Sequence, residues 1–323
     1  MINNNPLVLI ISNTHDYSTD HITYQLKNSG IYYLRLDRDR FSLMDIKLFP
    51  AERKIYVNLN DINFNISPKN LRSIYFRGPI YLRDTYQPEL SPDEQFSRSQ
   101  WAAFIRSLII FENIIWVNHP QATYKAEIKP YQLYIAKKIG FKIPYTIVTN
   151  SNEINKNLKL FKSNKKFIIK TLDPVILKIK KHEAFIYTNT INNDELKNLN
   201  ISNAPIILQE ALVPKIDIRV TVVGDVIYAV SIKKDGKGID KDWRIEKNNL
   251  KFEEIALPLE INNICLELVR QLGLKFGAID LAYYDNNYYF LEINPTGEWA
   301  WLLEHAKMDI DKKITDILIK GIK

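Results

Sequence analysis

Cysteine is almost missing from this chain. Cys265 is the single one among 323 residues, which excludes a disulfide framework within one chain. It falls in a helical pattern with Ile261, Ile264, Leu268 and Leu272, so a buried structural thiol is expected. Glycine is scarce too, at ten residues, and no G-x-G-x-x-G, Walker A or Gly-x-Ser-x-Gly sequence occurs. A classical dinucleotide turn, a P-loop and a hydrolase elbow are thereby unsupported. The five histidines, at 15, 21, 119, 182 and 305, lack the spacing of a zinc site. No apolar run approaches the ~20 residues of a membrane span. The N-terminal MINNNPLVLIISN has neither a basic n-region nor a small-residue cleavage site and reads as a first strand. A cytoplasmic protein with no membrane partner is expected. Internal repeats and low-complexity tracts are also absent.

Positive charge is in slight excess, 44 basic against 37 acidic residues for a formal +7. Segment 151–181 carries nine lysines against Glu153 and Asp173, a local excess equal to that of the whole chain. Almost no aromatic residues are interleaved there for base stacking, so a solvated face is expected and nucleic acid is not.

The apolar run 6–12 fits a buried parallel strand. A helix is expected from about Ser18, as its cap, to Asn28, then a strand over 31–36, a hairpin over 54–66 and a strand over 71–76 that leads into Arg77-Gly78-Pro79. Ser91-Pro92-Asp93-Glu94 is a helix start, and that helix should run to about Phe111. A short strand over 114–117 and the break Asn118-His119-Pro120 follow. Lys129-Pro130 opens a helix closed by Gly140, and Asn150-Ser151 caps a short one. Further strands are expected over 145–149, 166–170, 175–180, 184–190, 206–209, 216–223 and 226–232, the last two joined by Gly224-Asp225. Helices should cover 262–272 and about 309–319. The mixture predicts an α/β (α+β) protein in three parts, residues 1–120, 121–204 and 205–323.

Gly277 to Trp299, GAIDLAYYDNNYYFLEINPTGEW, is the richest stretch. A turn centred on Asn286 would set Tyr284 opposite Tyr288, Ala282 opposite Phe290 and Asp280 opposite Glu292. Asn294 would share the face of Glu292, with Ile279, Leu281, Leu291 and Ile293 turned into a core. Opposed carboxylates repel. A divalent cation with oxygen ligands, on the face of Asp280, Glu292 and Asn294, would relieve them; the alternative is that both acids lie on a solvated face and tolerate each other. In IDIRVTVVG, Asp217, Arg219 and Thr221 share one strand face, either as a plain ion pair or with Arg219 placed to hold phosphate. Lys170 ends the apolar strand FIIK, where its amine needs an anion or a path to solvent.

The run LEINPTGEWAW, preceded by GAIDLAYYDNNYYF, resembles the C-terminal metal-binding segment of ATP-grasp ligases. More narrowly it is similar to the microviridin-type (graspetide) peptide ligases, relatives of ribosomal S6 glutamate ligase. The resemblance implies an ATP-grasp fold behind an N-terminal pre-ATP-grasp α/β domain, with ATP and Mg²⁺ as cofactors. It implies a ligase that joins Asp or Glu side chains of a ribosomally made precursor peptide to its Ser/Thr hydroxyls or Lys amines. Such a peptide has a leader and an acidic core, and the enzyme is expected to be a homodimer. Residue by residue, it puts phosphates on Lys129 (or Lys125) and Lys170. It puts adenine on the linker Gln209-Glu210-Ala211-Leu212, through Glu210, Ala211 and Leu212, and the sugar beside Asp217 or Lys215. Arg219 and Arg244 would neutralise the transferring group, while Trp243 packs. One departure stands out: the family's phosphate-covering loop bears glycine, whereas Thr171–Tyr187 has none. Competing readings are transfer of an amino acid to a protein tail or small molecule, and a nucleotide-binding module without ligase activity.

Overall fold

The computed structural model describes residues 5–77, 90–152, 166–173, 176–179, 182–185, 189–198, 201–239, 243 and 249–322. It opens on β1 (Val8–Ser12), all five residues buried, then α1 (Tyr17–Asn28) and β2 (Tyr33–Asp37). The cap of α1 is Asp16 rather than Ser18. Its carboxylate accepts from the Thr19 amide at 3.1 Å, and Ser18 lies buried inside the first turn. Strands β3 (Met44–Phe49), β4 (Lys54–Leu59) and β5 (Ile62–Ile66) form an antiparallel meander, one strand more than the expected hairpin. After β6 (Ser73–Phe76), α2 (Pro92–Ser107) starts on the Ser91/Glu94 capping box, and β7 (Ile115–Val117) follows. Strands β2-β1-β6-β7 make a parallel sheet. Gly78 and Pro79 lie outside the described residues.

Helix α3 (Pro120–Ala126) had not been expected; α4 (Lys129–Lys138) had, at its Lys129-Pro130 start. Next come β8 (Thr146–Thr149), β9 (Lys166–Lys170), β10 (Ile176–Ile179), β11 (His182–Phe185), β12 (Asn189–Asn192), α5 (Asn193–Lys197) and β13 (Ile206–Glu210). An antiparallel sheet runs β12-β9-β13-β8. The glycine-free segment contributes a separate ladder of β10 and β11. The short helix expected after Asn150-Ser151, and much of the lysine-rich segment, lie outside the described residues.

The last part holds β14 (Ile216–Val223), β15 (Val226–Lys234), β16 (Leu250–Glu254), α6 (Leu259–Gln271), β17 (Phe276–Tyr284), β18 (Asn287–Asn294), α7 (Trp301–His305) and α8 (Ile310–Leu318). Of these, β16 and α7 had not been expected; both are five residues long. The antiparallel sheet is ordered β16-β15-β14-β17-β18. Alternation along β14 sorts its residues as the sequence implies. Ile218, Val220 and Val222 enter a core with Leu133 of α4 and Cys265 and Leu268 of α6. Cys265 is fully enclosed, and burial pushes its thiol up to about 12, which suits a packing role. On the opposite face Val223 joins Val8 and Ile10 of β1, Trp299, and Ile314 of α8 in one interior.

Asn118 fastens the parallel sheet to this unit. Its buried amide donates to the carbonyls of Phe276 and Pro295, each at 2.8 Å, and accepts from the amides of Lys275 and Phe276 at 2.7 and 2.9 Å. Asn118→Ala would strand two buried donors and two buried acceptors. A loss of about 2–3 kcal/mol is expected, measured as a lower urea midpoint with unchanged m.

Candidate active site

The site is built on one face of the five-stranded sheet. In register, Arg219 of β14 stands opposite Asp280 of β17, and Asp280 opposite Glu292 of β18, with Asn294 two residues further on. The route to that pairing differs from the expected one. Asp285 and Asn286 both have positive φ, 47° and 56°, and form a two-residue turn, so Tyr284 pairs with Asn287, Ala282 with Tyr289 and Leu281 with Phe290. A bulge after Asp280 then inserts Leu291 and shifts the register by one. The shorter turn and the bulge compensate, so the acidic pair comes out as expected while the hairpin tip does not. Phe290, fully buried, takes the core position assigned to Leu291, which is half-buried.

Beyond Asn294 the chain turns sharply, the Gly297 amide donating to the Asn294 carbonyl at 3.2 Å. A Cβ on Gly297 would come within 2.6 Å of Ala278 Cβ, so only glycine lets the loop lie this close to β17.

Arg219 is 5 % exposed, and its Nε lies 3.2 Å from Asp280 Oδ1. Its Nη1 is buried and, among the described residues, has no hydrogen-bond partner. A guanidinium N–H left this way calls for a hydrogen-bond acceptor, a role that a phosphate oxygen can fill. Asp217, on the same face, is bonded by the ammonium of Lys215, so Lys215 and Asp217 form one buried pair and Arg219 pairs with Asp280 instead. Asp280, Glu292 and Asn294 are part-buried oxygen donors, and Asn294 Nδ2 lies 3.5 Å from Glu292 Oε1. Two carboxylates and an amide oxygen fit a hard cation such as Mg²⁺. Among the described residues, no group of three or more His, Cys, Asp and Glu side chains converges.

Of the two lysines, Lys170 comes from the neighbouring sheet and Lys129 from helix α4. Lys129 Nζ, at the start of α4, donates to the Thr171 carbonyl at 2.9 Å, next to Lys170 at the end of β9. In the 209–212 linker the amide of Glu210 donates to the Tyr145 carbonyl (2.9 Å) and that of Ala211 to the Lys166 carbonyl (3.3 Å). Gln209 is buried, with its Nε2 on Thr146 Oγ1 at 2.9 Å, and Ala211 and Leu212 are buried beside it. Arg244 lies outside the described residues. Trp243 packs its ring 6.1 Å from Phe252 and 5.8 Å from Trp301.

Two supports escaped the sequence reading. Arg77, buried at the end of β6, reaches Asp16 Oδ2 at 3.2 Å and donates to the Thr296 carbonyl and to Glu298, which also accepts from Ser18 Oγ at 2.8 Å. A charged residue ending an apolar strand is the signal that singled out Lys170, and it would have flagged Arg77 as well. Gln132 of α4 is the second support; its bonds go to main chain, which leaves no trace in the sequence.

A family model described as a RimK-like ATP-grasp domain matches residues 132–318, more than half of the chain. The chain belongs to the RimK-like ATP-grasp family. As an ATP-grasp protein it is an ATP-dependent ligase. Among solved structures it is similar to macrocyclase MdnC from Microcystis aeruginosa MRC, bound with precursor peptide MdnA. That match has 24% identity and a TM-score of 0.84, and covers 97% of this chain and 99% of the other. A Chryseobacterium gregarium RiPP-associated ATP-grasp ligase, in complex with ADP and a leader and core peptide, matches at 24% identity and TM-score 0.81, covering 99% and 98%. The ATP-grasp ligase PsnB, complexed with a phosphomimetic variant of its minimal precursor, Mg and ADP, matches at 19% identity and TM-score 0.77, covering 99% and 100%. At these identities the ATP-grasp fold is what the structures share with this ligase. No curated protein matches the sequence. Among its described residues no helix is long and apolar enough to cross a membrane.

Proposed function

We propose that this ATP-grasp ligase activates Asp or Glu side chains of a ribosomally made precursor peptide and joins them to Ser/Thr hydroxyls or Lys amines of the same peptide. The observation that carries the reading is the shared sheet face of Asp280, Glu292, Asn294 and a buried Arg219 that pairs with Asp280 through Nε while its Nη1 has no hydrogen-bond partner among the described residues. The whole-chain similarity to ligases solved with precursor peptides supports the choice of substrate.

A carboxylate does not condense with an alcohol or amine in water, because its oxygen is a poor leaving group. In the first half-reaction a substrate carboxylate oxygen attacks the γ-phosphorus of ATP, the bond to the bridging oxygen breaks, and ADP leaves. In the second, the hydroxyl or amine attacks the acyl carbon, the acyl–oxygen bond breaks, phosphate leaves and a proton is released. Asp280, Glu292 and Asn294 would hold Mg²⁺, which supplies charge neutralisation at the phosphates. Lys129 and Lys170 bind phosphate oxygens, and Arg219 with Arg244 holds the transferring group. The adenine edge lies along Gln209, Glu210, Ala211 and Leu212. With the amides of Glu210 and Ala211 engaged within the fold, Leu212 offers the amide for an adenine nitrogen. Asp217, neutralised by Lys215, receives the ribose. No protein nucleophile is needed. In this reading residues 121–204 cover the nucleotide, 205–323 carry the metal, and 1–120 close the cleft on the peptide side. The enzyme works as a homodimer in the cytoplasm, on a peptide with a leader and an acidic core.

The test is to incubate the protein, ATP and Mg²⁺ with the peptide encoded beside its gene. ADP should form while the peptide loses one water per link. ADP appearing with free amino acids instead, and the peptide unchanged in mass, would replace this reading by amino-acid transfer of the S6 glutamate ligase kind.

A further inference from the structure

Strand β18 is the open edge of its sheet and carries both Glu292 and Asn294. Edge strands present main-chain groups with no strand to bond them. Here the outward groups of Ile293, the residue between the two side chains, are taken up by one side chain from α4. Gln132 Nε2 donates to the Ile293 carbonyl at 2.9 Å, and Gln132 Oε1 accepts from the Ile293 amide at 3.1 Å. The same Nε2 also donates to the Ala126 carbonyl at 2.6 Å, at the end of α3. Gln132 is 3 % exposed, so none of these bonds competes with water. A carboxamide has both a donor and an acceptor in one plane and can stand in for the peptide group of a missing strand. Further along the same edge, Phe290 N donates to the Lys142 carbonyl at 2.8 Å, so main chain completes what Gln132 begins.

We infer that Gln132 is a positioning residue that fixes Glu292 and Asn294 as a cation-binding pair by gripping the residue between them. The inference rests on the ligand set proposed above. Because side chains alternate along a strand, Glu292 and Asn294 point to the face opposite Ile293. A rotation or slip of Ile293 therefore moves both oxygen donors together. Lys129 lies one helical turn before Gln132 on the same side of α4 and is bonded to Thr171. A single turn of helix thus sets the ligand strand relative to the strand that ends in Lys170.

The experiment measures Mn²⁺ binding by electron paramagnetic resonance in the presence of ADP, for the intact chain and for Gln132→Met and Gln132→Glu. Gln132→Met keeps the length and apolar packing but neither hydrogen bond to Ile293. It should weaken Mn²⁺ binding by ~10-fold or more, the usual effect of removing a partner that orients metal ligands. ADP binding without metal should not change. Gln132→Glu keeps the acceptor for the Ile293 amide, should lose less, and provides the reading if the Met variant does not fold. A folded variant of either kind that binds Mn²⁺ as the parent does, even with a lowered melting temperature, would leave Gln132 a purely structural residue and overturn the inference. Failure of the proposed ligand set looks different: the parent chain would bind no Mn²⁺ with ADP, or bind it equally well as Asp280→Asn, and both readings would fall.

Discussion

Asp280→Asn should lower ADP formation in the presence of precursor peptide by ~10³-fold, because one neutral substitution touches the cation and the arginine together. Asp280 faces Glu292 on one side and Arg219 on the other. Loss of its charge alters a proposed metal ligand and leaves a nearly buried guanidinium without its carboxylate. With side-chain exposures of 6% and 14% for Arg219 and Asp280, this is a buried pair. Removing one partner of such a pair costs about 3 kcal/mol, at the low end because asparagine still offers an oxygen to Arg219. The melting temperature should therefore fall by several degrees while the circular dichroism spectrum stays native. A coupled ADP assay with a parallel thermal melt reads both. Turnover close to that of the parent would remove Asp280 from the metal site.

Arg219→Leu should be the next most damaging change, with turnover down by ~10²–10³-fold, the usual loss when a preorganised donor to developing charge is deleted. Its signature lies in its dependence on cation. Taking the guanidinium away from Asp280 makes the opposition of Asp280 and Glu292 more costly, as like charges across a ladder destabilise it. Added Mg²⁺ should then raise the melting temperature of Arg219→Leu more than that of the parent, since an ion that binds only the folded state stabilises by mass action. Lysine at 219 should restore that melting behaviour but not turnover, because it lacks the two-pronged fork. Equal Mg²⁺ responses in parent and variant would separate Arg219 from the acidic pair.

Much of this site could be read from the sequence because it obeys a two-residue period. The alternation of Asp217, Arg219 and Thr221 with Ile218, Val220 and Val222 sorts into two faces without knowledge of the fold, and the structure keeps that sorting. The opposition of Asp280 and Glu292 was legible for a less secure reason. Turn length and bulge are separate choices, and here their effects on register cancel at the acids but not at Phe290 and Leu291. Short elements such as α3, α7 and β16 carry too few residues for a period to emerge. Asn118 and Gln132 were illegible on different grounds. Each satisfies main-chain groups far away in sequence, and a main-chain group looks the same whatever residue bears it.

The interior shared by Val8, Ile10, Trp299 and Ile314 bears on how such enzymes can be recombined. Strand β1 and the segment from Trp299 through α8 both fill it, so residues 1–120 are not a cassette that can be traded at residue 120. A chimaera carrying a foreign head would bring steric mismatches against Trp299 and α8, beside the loop that closes off Asn294. A transplant meant to change peptide preference should carry the tail from about residue 299 along with the head.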